Sequence, residues 1–144
     1  MSELTDIRDR HYEGVGSGDL DLAASVMAPD IENRFPGAPP GSADGVEGFR
    51  AFAGPFANAF PDASIRVVST VESGDTIVTE GVYGGTHTGP LEGPQGTVPP
   101  TGRTIELPFA DIFRVRDGRA VAHHLYFDQA TFMAQLGLLP QPAG

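Results

Sequence analysis

The chain has 144 residues, carries 19 Asp and Glu against 9 Lys and Arg for a formal net charge of −10, and contains no cysteine. That length suits one domain, residues 1–144, with a core large enough to do without crosslinks. The acidity leaves no basic face for nucleic acid and repels an anionic membrane, and the missing thiols exclude disulfides, thiolate metal sites and cysteine nucleophiles.

Met1–Arg10 is polar and lacks a signal-peptide core, and no apolar run approaches the ~20 residues of a membrane span, so a soluble cytoplasmic protein is expected. Leu4, Ile7, His11 and Val15 recur at helical spacing and predict a first helix over Ser2–Val15, stopped by Gly16-Ser17-Gly18. Asp19 is placed to cap a second helix, Leu20–Met27, closed by Ala28-Pro29. Asp30–Phe35 reads as a short extended segment, and the proline-rich stretch Pro36–Ser42 as a loop. Val46, Phe49, Ala53, Phe56 and Phe60 mark one face of a third helix, ended by Phe60-Pro61-Asp62.

The remainder reads as strands. Ser64–Val71 alternates, with Ile65, Val67 and Val71 expected on one side, and Glu72–Asp75 turns the chain into a strand over Thr76–His87. Gly89–Gly102, rich in glycine and proline, is predicted to be a long loop of the kind that often serves as a lid. Arg103–Arg116 and Arg119–Phe127 are strands joined by the hairpin turn Asp117-Gly118, and a short helix over Thr131–Leu136 ends at Gly137. Helices followed by antiparallel strands predict an α+β fold, in which a curved antiparallel sheet with helices across one face encloses a pocket.

Several stretches carry a family likeness. They are Gly18-Asp19-Leu20-Asp21, Phe60-Pro61-Asp62, Gly85-Thr86-His87-Thr88-Gly89 with Pro100-Thr101-Gly102-Arg103, and Phe113-Arg114-Val115-Arg116-Asp117-Gly118-Arg119 followed by His123, Asp128 and Gln135-Leu136-Gly137. Together and in this order they resemble the SnoaL-like polyketide cyclases of the nuclear-transport-factor-like superfamily. The resemblance implies a cone-shaped barrel with an internal pocket, closure of polyketide rings by aldol chemistry without metal or organic cofactor, and pairing of two copies through the outer sheet face. Relatives on the fold also include ketosteroid isomerases, epoxide hydrolases, hydroxylases and ligand binders, so the fold does not by itself fix the reaction.

Aldol closure or isomerisation needs a base beside a carbonyl and a donor for the resulting enolate. Asp111 is the candidate for either role, base or protonated donor: an isolated carboxylate in Leu107–Phe113, on the face of Phe109, Phe113 and Val115. By resemblance it matches the oxyanion-binding aspartate of ketosteroid isomerases. His123 shares a strand face with Leu125 and Phe127, and by resemblance matches a pocket histidine of the cyclases; His124 faces the other way. In those cyclases an acid/base aspartate follows two residues after the histidine, where this chain has Leu125.

Further candidates for binding a substrate are Asn33, which matches a ligand-facing asparagine of the cyclases, and His11 and Tyr12 on the first helix, near the catalytic tyrosine of ketosteroid isomerases. His87 with Tyr83 on one strand face, and Phe35, Phe56, Phe109 and Leu125 as apolar wall, complete the set. No set of side chains has metal-ligand spacing, and no phosphate loop or nucleophile elbow is present. The reading that results is a cofactor-independent cyclase, aldol-like or pericyclic and shape-driven, that takes a neutral or weakly charged, hydrophobic small molecule and works as a homodimer. The alternatives are an isomerase, an epoxide hydrolase, or a binding protein without catalysis.

Overall fold

Ser2 starts the first helix: its side chain accepts from the Thr5 amide while the Thr5 hydroxyl answers its own backbone amide, a reciprocal cap. The computed structural model describes residues 2–93 and 96–139. Helix α1 (Glu3–Ser17) runs past Gly16 to Gly18, which closes it at φ 75°. Gly14 is needed at its centre, because a Cβ there would stand 2.3 Å from the Ala23 nitrogen of α2 (Leu20–Ala24). Asp19 caps α2 by accepting from the Leu22 amide.

The second helix is shorter than its sequence implied. The Val26 carbonyl takes the Ala120 amide at 2.7 Å, which draws the chain into the sheet, and strand β1 (Met27–Arg34) begins where helix was expected. Pro29 lies inside β1 without penalty, since the pairing of β1 is interrupted between Met27 and Glu32. Helix α3 (Gly45–Ala59) carries Pro55 internally. Gly54 precedes it, and the absence of a Cβ there relieves the clash that disfavours helix before proline.

The strands β2 (Ser64–Ser73), β3 (Thr76–Thr86), β4 (Leu91–Gly93), β5 (Gly96–Val98), β6 (Thr104–Arg116) and β7 (Arg119–Phe127) precede helix α4 (Gln129–Gln135). The main sheet has the order β1-β7-β6-β3-β2. The β1–β7 pair is parallel and the other pairs antiparallel, so the sheet is mixed where an antiparallel one was expected. Strand β1 joins the sheet from the helical layer, with no hairpin to fix its direction. The cone is also not a closed barrel: β1 and β2 form two free edges, and the curved sheet wraps α1 and α3 without meeting itself.

Two local features depart from simple alternation. A bulge between Val67 and Ser69 shifts the phase of β2, so Ile65 and Val67 pair with inward positions of β3 while Val71 pairs with Val78 on the outer face and is 63% exposed. The predicted loop Gly89–Gly102 contains the two-stranded hairpin β4–β5, with Leu91 opposite Val98. Asp117 and Gly118, both at positive φ, make the expected tight turn between β6 and β7. The inner sheet face buries Ile77, Ile105, Leu107 and Phe113 against the helices. Among the described residues no helix is long and apolar enough to cross a membrane.

Candidate active site

The concave face of the sheet and the three N-terminal helices enclose a cavity of about 720 Å³ of empty space, its solvent-open part included. Its wall is apolar: Val15 and Leu20 from α1 and α2, Phe49, Phe52, Ala53, Phe56 and Ala57 from α3, and Ile65, Leu107, Phe109, Leu125 and Phe127 from the strands. Five side chains bring polar atoms to it, namely His11, Tyr12, Tyr83, Asp111 and His123.

Asp111 is buried in mid-β6. Its Oδ2 accepts from the Tyr12 hydroxyl at 2.8 Å and lies 3.5 Å from Nε2 of His123, while Oδ1 has no partner among the described residues. The His123 ring stacks on Phe113 at 4.3 Å and takes His11 and Phe35 edge-on at 5.1 and 5.5 Å, so aromatic rings fix its plane. Both of its nitrogens are buried and, among the described residues, without a hydrogen bond. The 3.5 Å separation is too long for a good bond and leaves room to tighten around a ligand.

His11 donates from Nδ1 to the Ala23 carbonyl at 3.0 Å, the only role a carbonyl allows. Burial, and next the neighbouring His123, push its pKa down to about 4, so it is neutral at physiological pH and its Nε2 is an acceptor. Burial, and next the Asp111 charge, push the Tyr12 phenol well above its ordinary range, which keeps it a donor. Tyr83 is pushed up by burial first and then by the Asp62 charge.

Behind these groups lies a feature that the sequence reading missed. Arg8, one helical turn before Tyr12, is buried, holds its guanidinium 5.8 Å from the Tyr12 ring centre, and donates to the hydroxyls of Thr70 at 2.7 Å and Thr79 at 3.2 Å. Thr79 stands directly opposite Asp111 on the β3–β6 ladder. The available signal was the i, i+4 spacing that puts Arg8 and Tyr12 on one face of α1.

Of the residues singled out from the sequence, Asp111, His123, His11, Tyr12, Phe56, Tyr83, Phe109 and Leu125 come together around the cavity. Three do not line it. The Asn33 amide donates to the carbonyls of Ala43 at 2.8 Å and Gly45 at 2.9 Å, and its backbone amide donates to Asp44, so it ties the proline-rich loop to the start of α3. Phe35 stacks on Phe52 at 4.2 Å and faces a second, outer groove beside β7. His87 is buried at the neck of the β4–β5 excursion, where its Nδ1 accepts from the Thr101 amide at 3.2 Å. His124 faces away, as expected, and bonds Glu32 at 2.9 Å.

In chemical terms, the cavity presents one free carboxylate oxygen and one uncommitted imidazole within an apolar shell. A base and a hydrogen-bond donor so placed can act on a single carbonyl group. Among the described residues no three His, Asp or Glu side chains group as metal ligands would.

A family model described as SnoaL-like polyketide cyclase matches residues 5–136. IdmH from Streptomyces antibioticus, a proposed polyketide cyclase, is similar at 36% identity and a TM-score of 0.76, over 92% of this chain and 97% of its own. A proposed SnoaL-like polyketide cyclase from Jannaschia sp. CCS1 superposes with a TM-score of 0.80 at 23% identity, over 96% of this chain and 94% of its own. AclR from Streptomyces galilaeus, a proposed hydroxylase, does so at 0.80 and 24% identity, over 98% and 89%. The last two likenesses establish the fold alone. No curated protein matches the chain.

Proposed function

The chain belongs to the SnoaL-like polyketide cyclase family, and from that premise we propose that it closes a ring in a polyketide-type intermediate without a cofactor. Asp111 Oδ1 takes a proton from the carbon beside a carbonyl, and an N–H of His123 steadies the oxygen of the resulting enolate. The enolate carbon attacks a second carbonyl of the same folded chain, forming the new carbon–carbon bond. The proton on Asp111 then passes to the alkoxide so formed.

The observation that carries this reading is the set of three buried polar atoms, Asp111 Oδ1 and both nitrogens of His123, that have no partner among the described residues and stand at a mostly apolar wall. Buried polar atoms are almost always satisfied, so a cluster of unsatisfied ones at a cavity points to a ligand. Position 125 adds support. Leu125 replaces the acid/base aspartate found in the cyclases, and it stands directly opposite Asp111 on the β6–β7 ladder. Opposed residues lie about 5 Å apart, so a carboxylate on β6 reaches the same region of the cavity.

A second reading follows from the same leucine. With the usual acid absent, the apolar wall alone can fold a substrate for a shape-driven closure. The two readings separate on variants assayed with a linear poly-β-ketone. Asp111→Asn and His123→Ala are each expected to slow ring closure by about 100-fold or more while circular dichroism reports an intact fold. Unchanged product formation by both variants would overturn the acid/base reading in favour of shape alone.

A further inference from the structure

The polar groups of the cavity stand at two stations. One is the cluster of Asp111, His123, Tyr12 and His11. The other is the half-buried phenol of Tyr83, which makes no hydrogen bond among the described residues. The sheet register sets the distance between them. Asp111 is opposite Thr79 and Leu107 is opposite Tyr83, so the stations lie four residues apart along β3, roughly 13 Å at the backbone. Both side chains face inward, and the wall between them is formed by Phe109 and Phe127, with Leu107 and Ile65 opposite Tyr83 itself. The Tyr83 ring is clamped edge-to-face by Phe56 and Phe60, each at 6.1 Å, which holds the hydroxyl in one place.

We infer that the cavity takes an elongated, uncharged molecule with two oxygen functions, an enolisable carbonyl at Asp111 and His123 and a second keto or hydroxyl oxygen at Tyr83. The inference rests on the proposed role of Asp111 and His123, to which it adds a substrate length and a second point of attachment. A charged group on the apolar span would be buried without a counter-ion. An anion at Tyr83 would also face Asp62, whose Oδ1 is already held by the Thr86 amide at 2.8 Å. A fixed second anchor fits ring closure, because it limits how the chain folds over the reacting carbonyl.

The test is calorimetric binding of linear 1,3-diketones whose alkyl arm ends in a hydroxyl, in a series of lengths, against the same chains ending in methyl. The expected result is one preferred length, with an affinity gain of ~3- to 10-fold over the methyl-ended chain. Tyr83→Phe should abolish that gain and leave the methyl-ended chains unaffected, which also verifies the fold. Affinity that rises smoothly with length, or a hydroxyl gain that survives in Tyr83→Phe, would overturn the two-station inference. If Asp111→Asn still weakens every diketone in that case, the proposed function stands. Failure of every diketone to bind would overturn both.

Discussion

Tyr12 donates its hydroxyl hydrogen to Oδ2 of Asp111, and this bond selects which carboxylate oxygen is left for a ligand. Replacing it by Tyr12→Phe leaves a buried carboxylate oxygen without its donor. The expected cost is about 1–3 kcal/mol in urea unfolding. His11 gives a pH signature. In the folded protein its pKa lies at about 4, against the ordinary 6.5 of a free imidazole, so the unfolded chain binds a proton that the folded one refuses. This contribution to stability is complete above about pH 6.5 and is lost as the pH falls to about 4, a difference of about 3 kcal/mol. Urea titrations at both ends of that window should find wild type losing about that much more than His11→Leu; equal losses would remove the argument. At this scale the sequence exposed the position of Asp111 on the cavity wall. An isolated aspartate in an apolar strand announces itself by type and spacing. Asn33 did not, because the carbonyls of Ala43 and Gly45 that claim its amide lie across a loop whose path no local pattern specifies.

Helix α1 holds the site only if it lies close on α2, and Gly14 permits that approach. A Cβ at Gly14 would meet the Ala23 backbone and side chain at 2.3–2.7 Å, whereas one at Gly16 would meet only the Ala63 carbonyl at 3.7 Å. Gly14→Ala is therefore expected to destabilise by about 1–3 kcal/mol, and Gly16→Ala to stabilise by about 0.5–1 kcal/mol; thermal unfolding of the pair checks the contrast. Element types and most boundaries were legible because caps, turns and periodicity are local. The end of α2 was not, since the Ala120 amide that pulls Val26 into the sheet comes from the far end of the chain. Nor was the phase of β2, because a one-residue bulge leaves no mark on composition. The parallel placement of β1 likewise depends on β7 alone.

Taken whole, the described residues cover one face of the sheet with helices and leave the other without a helical layer. Val71, Val78, Ile112 and Tyr126 stand on that outer face, and Tyr126 is 50% exposed. We propose that a second copy covers it, since a net charge of −10 otherwise favours dispersal and the apolar strip offers the opposing contact. Light scattering should give a dimer for wild type and a monomer for Ile112→Glu; a monomeric wild type would end the idea. The central claim is narrower: the free oxygen of Asp111 removes a proton beside a carbonyl held in the cavity. It is tested most directly by following deuterium exchange from solvent into the carbon between the carbonyls of a bound 1,3-diketone. Wild type is expected to accelerate that exchange and Asp111→Asn to lose about 100-fold or more of the acceleration. Equal exchange by the two proteins would contradict the account.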